Sequence, residues 1–172
     1  MRLYGLVGVV LLLLLTQVSC SSGRALNVSA EDRKLAIQAW RAFLKEPRSG
    51  VDLVLDSIKS YPDGDKVLGS LSRETGLSVN ELDKAVEPLG TNLLINYSKI
   101  FAMLRDENKM KIYMQRMGKF YHEKSITEQE YMTLNGLISQ HVKSKLKGKY
   151  PEHQLDAVGR VLDAIKKGIF NS

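Results

Sequence analysis

Between Leu82 and Leu104 the apolar residues return at nearly every third or fourth position: Leu82, Val86, Leu89, Leu93, Tyr97, Ile100, Phe101 and Leu104. That period draws a single apolar stripe along a helix and cannot serve a strand, whose faces alternate at every residue. The rhythm runs through most of the chain. It includes Ala36, Trp40, Phe43 and Leu44, then Val51, Val54, Leu55 and Ile58, then Met110, Met114, Met117 and Tyr121. Tyr131, Leu134, Ile138, His141 and Val142 form the next stripe, and Leu155, Val158, Leu162, Ile165 and Ile169 form the last. Six or more amphipathic helices follow from this pattern, with no credible strand, so the expected class is all-α.

Start and stop signals divide the stripes. Ser29 is a natural N-cap, with Glu31 and Asp32 in the first turn where the helix dipole favours acids. Pro47 ends that helix, and "YPDGD" at 61 to 65 reads as a turn. Ser78 with Glu81, and Thr127 with Glu130, have capping-box spacing. Pro88 lies inside the long stripe and should kink it or split it in two. "RDEN" at 105 to 108 reads as an acidic turn, and Pro151 opens the final segment.

The N-terminus has a different character. Arg2 precedes the apolar run "LVGVVLLLLL" at 6 to 15, followed by the small and polar residues "TQVSCSSG". That is the layout of a secretory signal peptide, with an apolar run too short to span a bilayer. Residues 1–20 are therefore expected to be removed by cleavage after Cys20, leaving a short extension at 21–28 and one domain at 29–172; a bacterial lipoprotein site at Cys20 is the weaker alternative, since Gln17 stands where an aliphatic residue is preferred. The expected location is extracellular, with no membrane attachment once the signal is cut. Cys20 is the sole cysteine, which excludes a disulfide framework, a thiolate metal site and a cysteine nucleophile from the mature chain. The triplets Asn27-Val28-Ser29 and Asn96-Tyr97-Ser98 have the form of glycosylation acceptors, but Asn96 falls inside an expected helix.

The net charge of +6 becomes +5 on subtracting Arg2 with the signal. Lys143, Lys145, Lys147 and Lys149 alternate around a helix end and read as a solvated face. No aromatic residues interleave with a basic stripe, so a nucleic-acid partner is not expected. The chain also lacks a HExxH pair, a nucleophile triad and a phosphate loop, and it is read as a non-enzyme.

The spacing over residues 29 to 170 resembles that of a globin. Trp40 lies where the first globin helix carries its tryptophan. Gly50 and Pro62, twelve residues apart, match the glycine at the crossing of the second and fifth helices and the proline opening the third. A small residue is needed there because two backbones approach closely. "LRDENKMKIYMQRMGKFY" resembles the end of the fifth helix, the turn and the sixth helix, with Met117-Gly118-Lys119-Phe120-Tyr121 over Leu-Gly-x-x-His. The segments 130 to 147 and 155 to 168 resemble the last two helices. The resemblance implies a globin-like fold of six to eight helices.

It also implies haem b, and here the chain departs from the family at three positions. Leu68, six residues after Pro62, replaces the phenylalanine that stacks on haem. Leu89 occupies the distal position, 27 residues after that proline, and cannot donate a hydrogen bond to oxygen. Tyr121 occupies the proximal position. The implied pocket is lined by Val54, Leu68, Leu89, Leu93, Met114, Met117 and Ile126, with Tyr121 or His122 as the metal ligand. Tyr121 shares a face with Met114 and Met117. His122, rotated by about 100°, reaches that face only through a one-residue shift at the fraying helix end. Met114 and Met117 themselves read as core filler. Lys66 and Lys119 could meet propionates, though solvent-facing lysine is the simpler role for both.

Three functions stay open at this stage. One is a secreted haem protein binding dioxygen, with fast release or autoxidation expected from its apolar distal side. Another is a haem-free globin fold serving as a binding or interaction module for a small apolar ligand such as a fatty acid. The third is an extracellular scavenger of ferric haem that uses Tyr121. A homo-oligomer is compatible with each.

Overall fold

A computed structural model of the protein describes residues 26–170. The expected signal segment 1–20, the cleavage site and most of the short extension lie outside the described residues. Within them the chain forms seven α-helices: α1 Ala30–Phe43, α2 Ser49–Lys59, α3 Gly64–Thr75, α4 Leu82–Met103, α5 Glu107–Glu123, α6 Glu128–Leu146 and α7 Glu152–Phe170. The described residues contain no strand, only a single isolated bridge between Lys147 and Tyr150. The all-α expectation therefore holds, and none of the described helices is long and apolar enough to cross a membrane.

Local signals act mostly as read. Ser29 caps α1, its Oγ accepting from the Asp32 amide at 3.0 Å. Thr127 and Glu130 complete a reciprocal capping box at α6: Thr127 Oγ1 accepts from the Glu130 amide at 3.2 Å, and Glu130 Oε2 accepts from the Thr127 amide at 2.8 Å. The acidic turn proves to be a cap as well, since Asp106 Oδ1 accepts from the Lys109 amide at 3.0 Å and starts α5.

Three details sharpen the expectation. The Ser78–Glu81 pair makes half a box: the Glu81 carboxylate accepts from the Ser78 amide at 3.2 Å and hydroxyl at 2.8 Å. The Glu81 amide donates instead to the Ser78 carbonyl at 2.8 Å, so the chain enters α4 through a 3-10 turn at Val79–Glu81. Pro88 does not split the long helix, because α4 runs from Leu82 to Met103 with Pro88 inside it on an exposed position. The lost bond falls on the Lys84 carbonyl at the solvent side of the helix. The turn at "YPDGD" leads directly into α3, a helix whose stripe is short and whose buried residues are only Gly64 and Leu68.

Packing follows the stripes. α1 lies against α7, α2 against α4, and α6 against α7, with α5 also resting on α7 and α6 touching both α1 and α2. At the α2–α4 crossing Gly50 meets Gly90. A Cβ built on Gly50 would sit 2.7 Å from the Gly90 carbonyl carbon, and one built on Gly90 would sit 2.5 Å from that of Gly50. The close approach expected at Gly50 is present, with a second glycine as its partner. Trp40 anchors the other end of the core. Its ring stacks on Phe101 at 4.8 Å, and its Nε1 donates to Ser98 Oγ at 3.0 Å, so the buried indole is satisfied.

Candidate functional site

The core stripe of α5 is Met110, Met114, Met117 and Tyr121, all buried. Tyr121 is 2% exposed, whereas His122 is exposed. The helix end explains why the register does not slip. Ser125 takes a left-handed φ of 53°, its amide donates to the His122 carbonyl at 3.1 Å, and the Ile126 amide donates to the Tyr121 carbonyl at 2.9 Å. These two bonds and the left-handed residue form a Schellman closure, which satisfies the last carbonyls and fixes the final turn. Ile126, half-buried, packs on the core just after it. Tyr121 therefore stays inside the last regular turn, and His122 is carried outward by the rotation of one residue.

Around Tyr121 the rings of three helices converge. Its ring is parallel to Phe170 of α7 at 5.7 Å with an interplanar angle of 4°. It meets Tyr131 of α6 at 5.4 Å and its neighbour Phe120 at 5.7 Å. Tyr131 in turn touches Phe170 edge-on at 5.5 Å. Next to this cluster Tyr97 of α4 donates its hydroxyl to Asn135 Oδ1 at 2.7 Å. Asn135 is itself 7% exposed; its buried Nδ2 makes no hydrogen bond of ordinary geometry but lies beside the Tyr131 hydroxyl, close enough to favour that phenol's ionised form.

Burial makes these phenols hard to ionise. It pushes Tyr131 up to about 12, partly offset by the adjacent Asn135 amide. Tyr121 is raised further by burial and then by the nearby Tyr131, while Tyr97 and Tyr113 also lie well above the ordinary range. The causes are burial and the other phenols, with no cation among them. Each phenol is a neutral hydroxyl at physiological pH.

The expected lining residues divide into two groups. Val54, Leu68, Leu93, Met114 and Met117 join Tyr121 in the buried core, while Leu89 and Ile126 sit partly buried at its margin. Met114 wedges beneath α7, where a Cβ on Gly168 would overlap its Sδ, so its thioether fills a helix crossing. Lys66 pairs with Asp63 at 2.7 Å and Lys119 approaches Glu123 at 3.9 Å, both out in solvent. His141 is engaged by Asp56 at 2.9 Å between α6 and α2, and His153 is exposed. Among the described residues no three of His, Cys, Asp and Glu gather as a metal site.

No family model and no curated protein matches this chain.

Two features of this centre escaped the sequence reading. Asn135 lies among Tyr131, Leu134, Ile138 and Val142 on the buried side of α6, and a polar residue at that point in a core stripe was a usable signal. Phe170 had no such signal, because it continues no stripe. Only the packing of α7 shows that it covers Tyr121.

Tested against the haem that the resemblance implies, the donors fit poorly. No histidine among the described residues lies in the core, since His122 and His153 are exposed and His141 is held by Asp56 at the α2–α6 contact. Of the buried phenols, the one at the implied ligand position is Tyr121, whose ionisation burial opposes and whose ring is already stacked on Phe170.

Proposed function

We propose that this chain is a secreted, globin-type protein acting as a binding module for a small apolar ligand, without haem held through an imidazole. The observation that carries this reading is Tyr121, fixed in the interior register by the closure at Ser125 while His122 faces solvent. The globin-type arrangement is supported by the Gly50–Gly90 crossing of α2 and α4, and by α5, α6 and α1 gathering on α7. Secretion is supported by the signal-like residues 1–20. A binding role is supported by the Asn135 carboxamide, buried beside the Tyr97 and Tyr131 hydroxyls, whose weakly engaged Nδ2 an oxygen-bearing apolar molecule would satisfy more fully. With phenols and no cation around it, that oxygen should be neutral, as in an alcohol, an ester or a protonated acid.

A second reading rests on the same residue. Tyr121 presents an oxygen to the interior, and iron could offset the cost of its ionisation, so ferric haem bound through the phenol is the competing function. One experiment separates the two. Residues 21 to 172 are titrated with hemin and the Soret band recorded for the parent, His122→Ala and Tyr121→Phe. The haem-free reading expects no stoichiometric band in the parent. A stoichiometric band lost only with Tyr121→Phe establishes the second reading, and a band lost only with His122→Ala overturns both. Ligand binding is checked by the rise in thermal midpoint with long-chain alcohols and methyl esters, which Asn135→Leu should abolish.

A further inference from the structure

Of the two glycosylation triplets, the fold treats one as surface and the other as core. Asn96 lies inside α4, 5% exposed, between Leu93 and Tyr97 of the core stripe. A glycan there could not coexist with the packed helix. Asn27 is exposed, in the extended segment that leads into α1. Its neighbours hold that segment in place. Leu26 is buried at 7% exposure, and the Val28 carbonyl accepts from Arg33 Nε at 3.2 Å and Nη2 at 3.1 Å. The Asn27 side chain is thus displayed outward from a fixed, non-helical stretch, as an accessible acceptor requires.

We propose that Asn27 carries an N-linked glycan, and that Asn96 does not. In the transfer, Asn27 Nδ2 forms a bond to the anomeric carbon of a polyprenyl-diphosphate-linked oligosaccharide. The carbon–oxygen bond to the diphosphate breaks, its electron pair leaves with the lipid diphosphate, and the amide gives up one proton. The inference rests on the secretion contained in the proposed function, because that donor is met only along a secretory route. It does not depend on what the core binds.

Ser29 has two duties here, as the hydroxyl of the triplet and as the N-cap of α1. The variants must therefore separate modification from folding. The full chain is produced in eukaryotic secretory cells, and its electrophoretic mobility is compared before and after peptide N-glycosidase, with peptide mapping for the asparagine-to-aspartate conversion. One glycan is expected, at residue 27. Asn27→Gln, which leaves the cap intact, should remove it without lowering the secreted yield more than severalfold. Ser29→Ala should also remove it, and Ser29→Thr should keep both glycan and cap. Conversion at residue 96, or a secreted chain with no mobility shift, overturns the assignment. A chain retained inside the cell without a shift overturns the secretion reading instead. In that case a version whose residues 1–20 are replaced by a proven secretory leader decides the site alone: glycosylation at 27 upholds it, and its absence ends it.

Discussion

Replacing Gly90 by alanine tests the arrangement at its tightest point. The new Cβ would lie 2.5 Å from the Gly50 carbonyl carbon, 2.6 Å from its oxygen and 2.8 Å from the Val51 nitrogen. The closest of these is about 0.9 Å short of the 3.4 Å at which contact becomes ordinary. All three atoms are backbone, so no rotamer change relieves the overlap and the helices must move apart along the whole α2–α4 contact. Overpacking of this kind costs about 3 kcal/mol, the upper part of the usual range. Alanine returns about 1 kcal/mol through its better helix propensity. The net loss is about 2 kcal/mol, or about 30-fold in the ratio of folded to unfolded chain. Gly69 and Gly136 supply internal controls, since both are helical and a Cβ on either meets nothing within 4 Å. Alanine at those positions should stabilise by about 0.5–1 kcal/mol. Urea unfolding of the three variants and the parent measures the differences. Gly50→Ala should resemble Gly90→Ala, and the double variant should cost less than the two together because one separation admits both methyl groups. A Gly90→Ala protein as stable as the parent would refute the crossing and the globin-type reading built on it.

Other outcomes follow from the phenol centre and its flanking helix end. Tyr131 titrates near 10 unfolded and about 12 folded, so its contribution is constant below pH 10 and is lost as pH rises toward 12. That two-unit difference amounts to about 3 kcal/mol, and Tyr97, Tyr113 and Tyr121 act in the same direction. Urea midpoints stepped through this range should fall steeply and less so for Tyr131→Phe; phenols that all ionise near 10 with no loss of stability would contradict the burial. Asn135→Leu strands the Tyr97 hydroxyl and should cost about 1–3 kcal/mol, whereas Asn135→Leu with Tyr97→Phe should come close to the parent. Equal losses in the single and double variants would show that the pair is not coupled. Ser125→Gly removes a left-handed non-glycine residue and should stabilise by about 0.5–1 kcal/mol in the same assay; a loss would mean the α5 closure is not as described.

The helices were legible because their stripes are long and their caps are local. Ser29 and Thr127 cap within three residues as their spacing indicated, and Asp106, read only as a turn, caps over the same short range. α3 was expected only from the resemblance at Pro62, because with only Gly64 and Leu68 buried it has almost no stripe to read. Ser78 was misread because the Glu81 amide donates to the Ser78 carbonyl at 2.8 Å, closing a 3-10 turn instead of meeting the hydroxyl, a choice that spacing alone does not decide. The centre was half legible. Met114, Met117 and Tyr121 were visible as one face of a helix, but the rings of Tyr131 and Phe170 reach Tyr121 from α6 and α7, through contacts that no periodicity encodes.

The choice between phenol and imidazole shows why such contacts matter. In the sequence Tyr121 and His122 are adjacent, and a slip of one residue would exchange them. What forbids the slip lies four residues downstream, where a left-handed Ser125 turns the Ile126 amide back onto the Tyr121 carbonyl. Moving His122 inward would expose the Tyr121 ring, break its stack on Phe170 and undo both closing bonds, several kcal/mol in all by the usual values for a buried aromatic side chain. An axial ligand would have to repay that sum as well as the burial of an imidazole. The closure at Ser125, as much as the residue at position 121, keeps the Tyr121 phenol in the core and His122 in solvent.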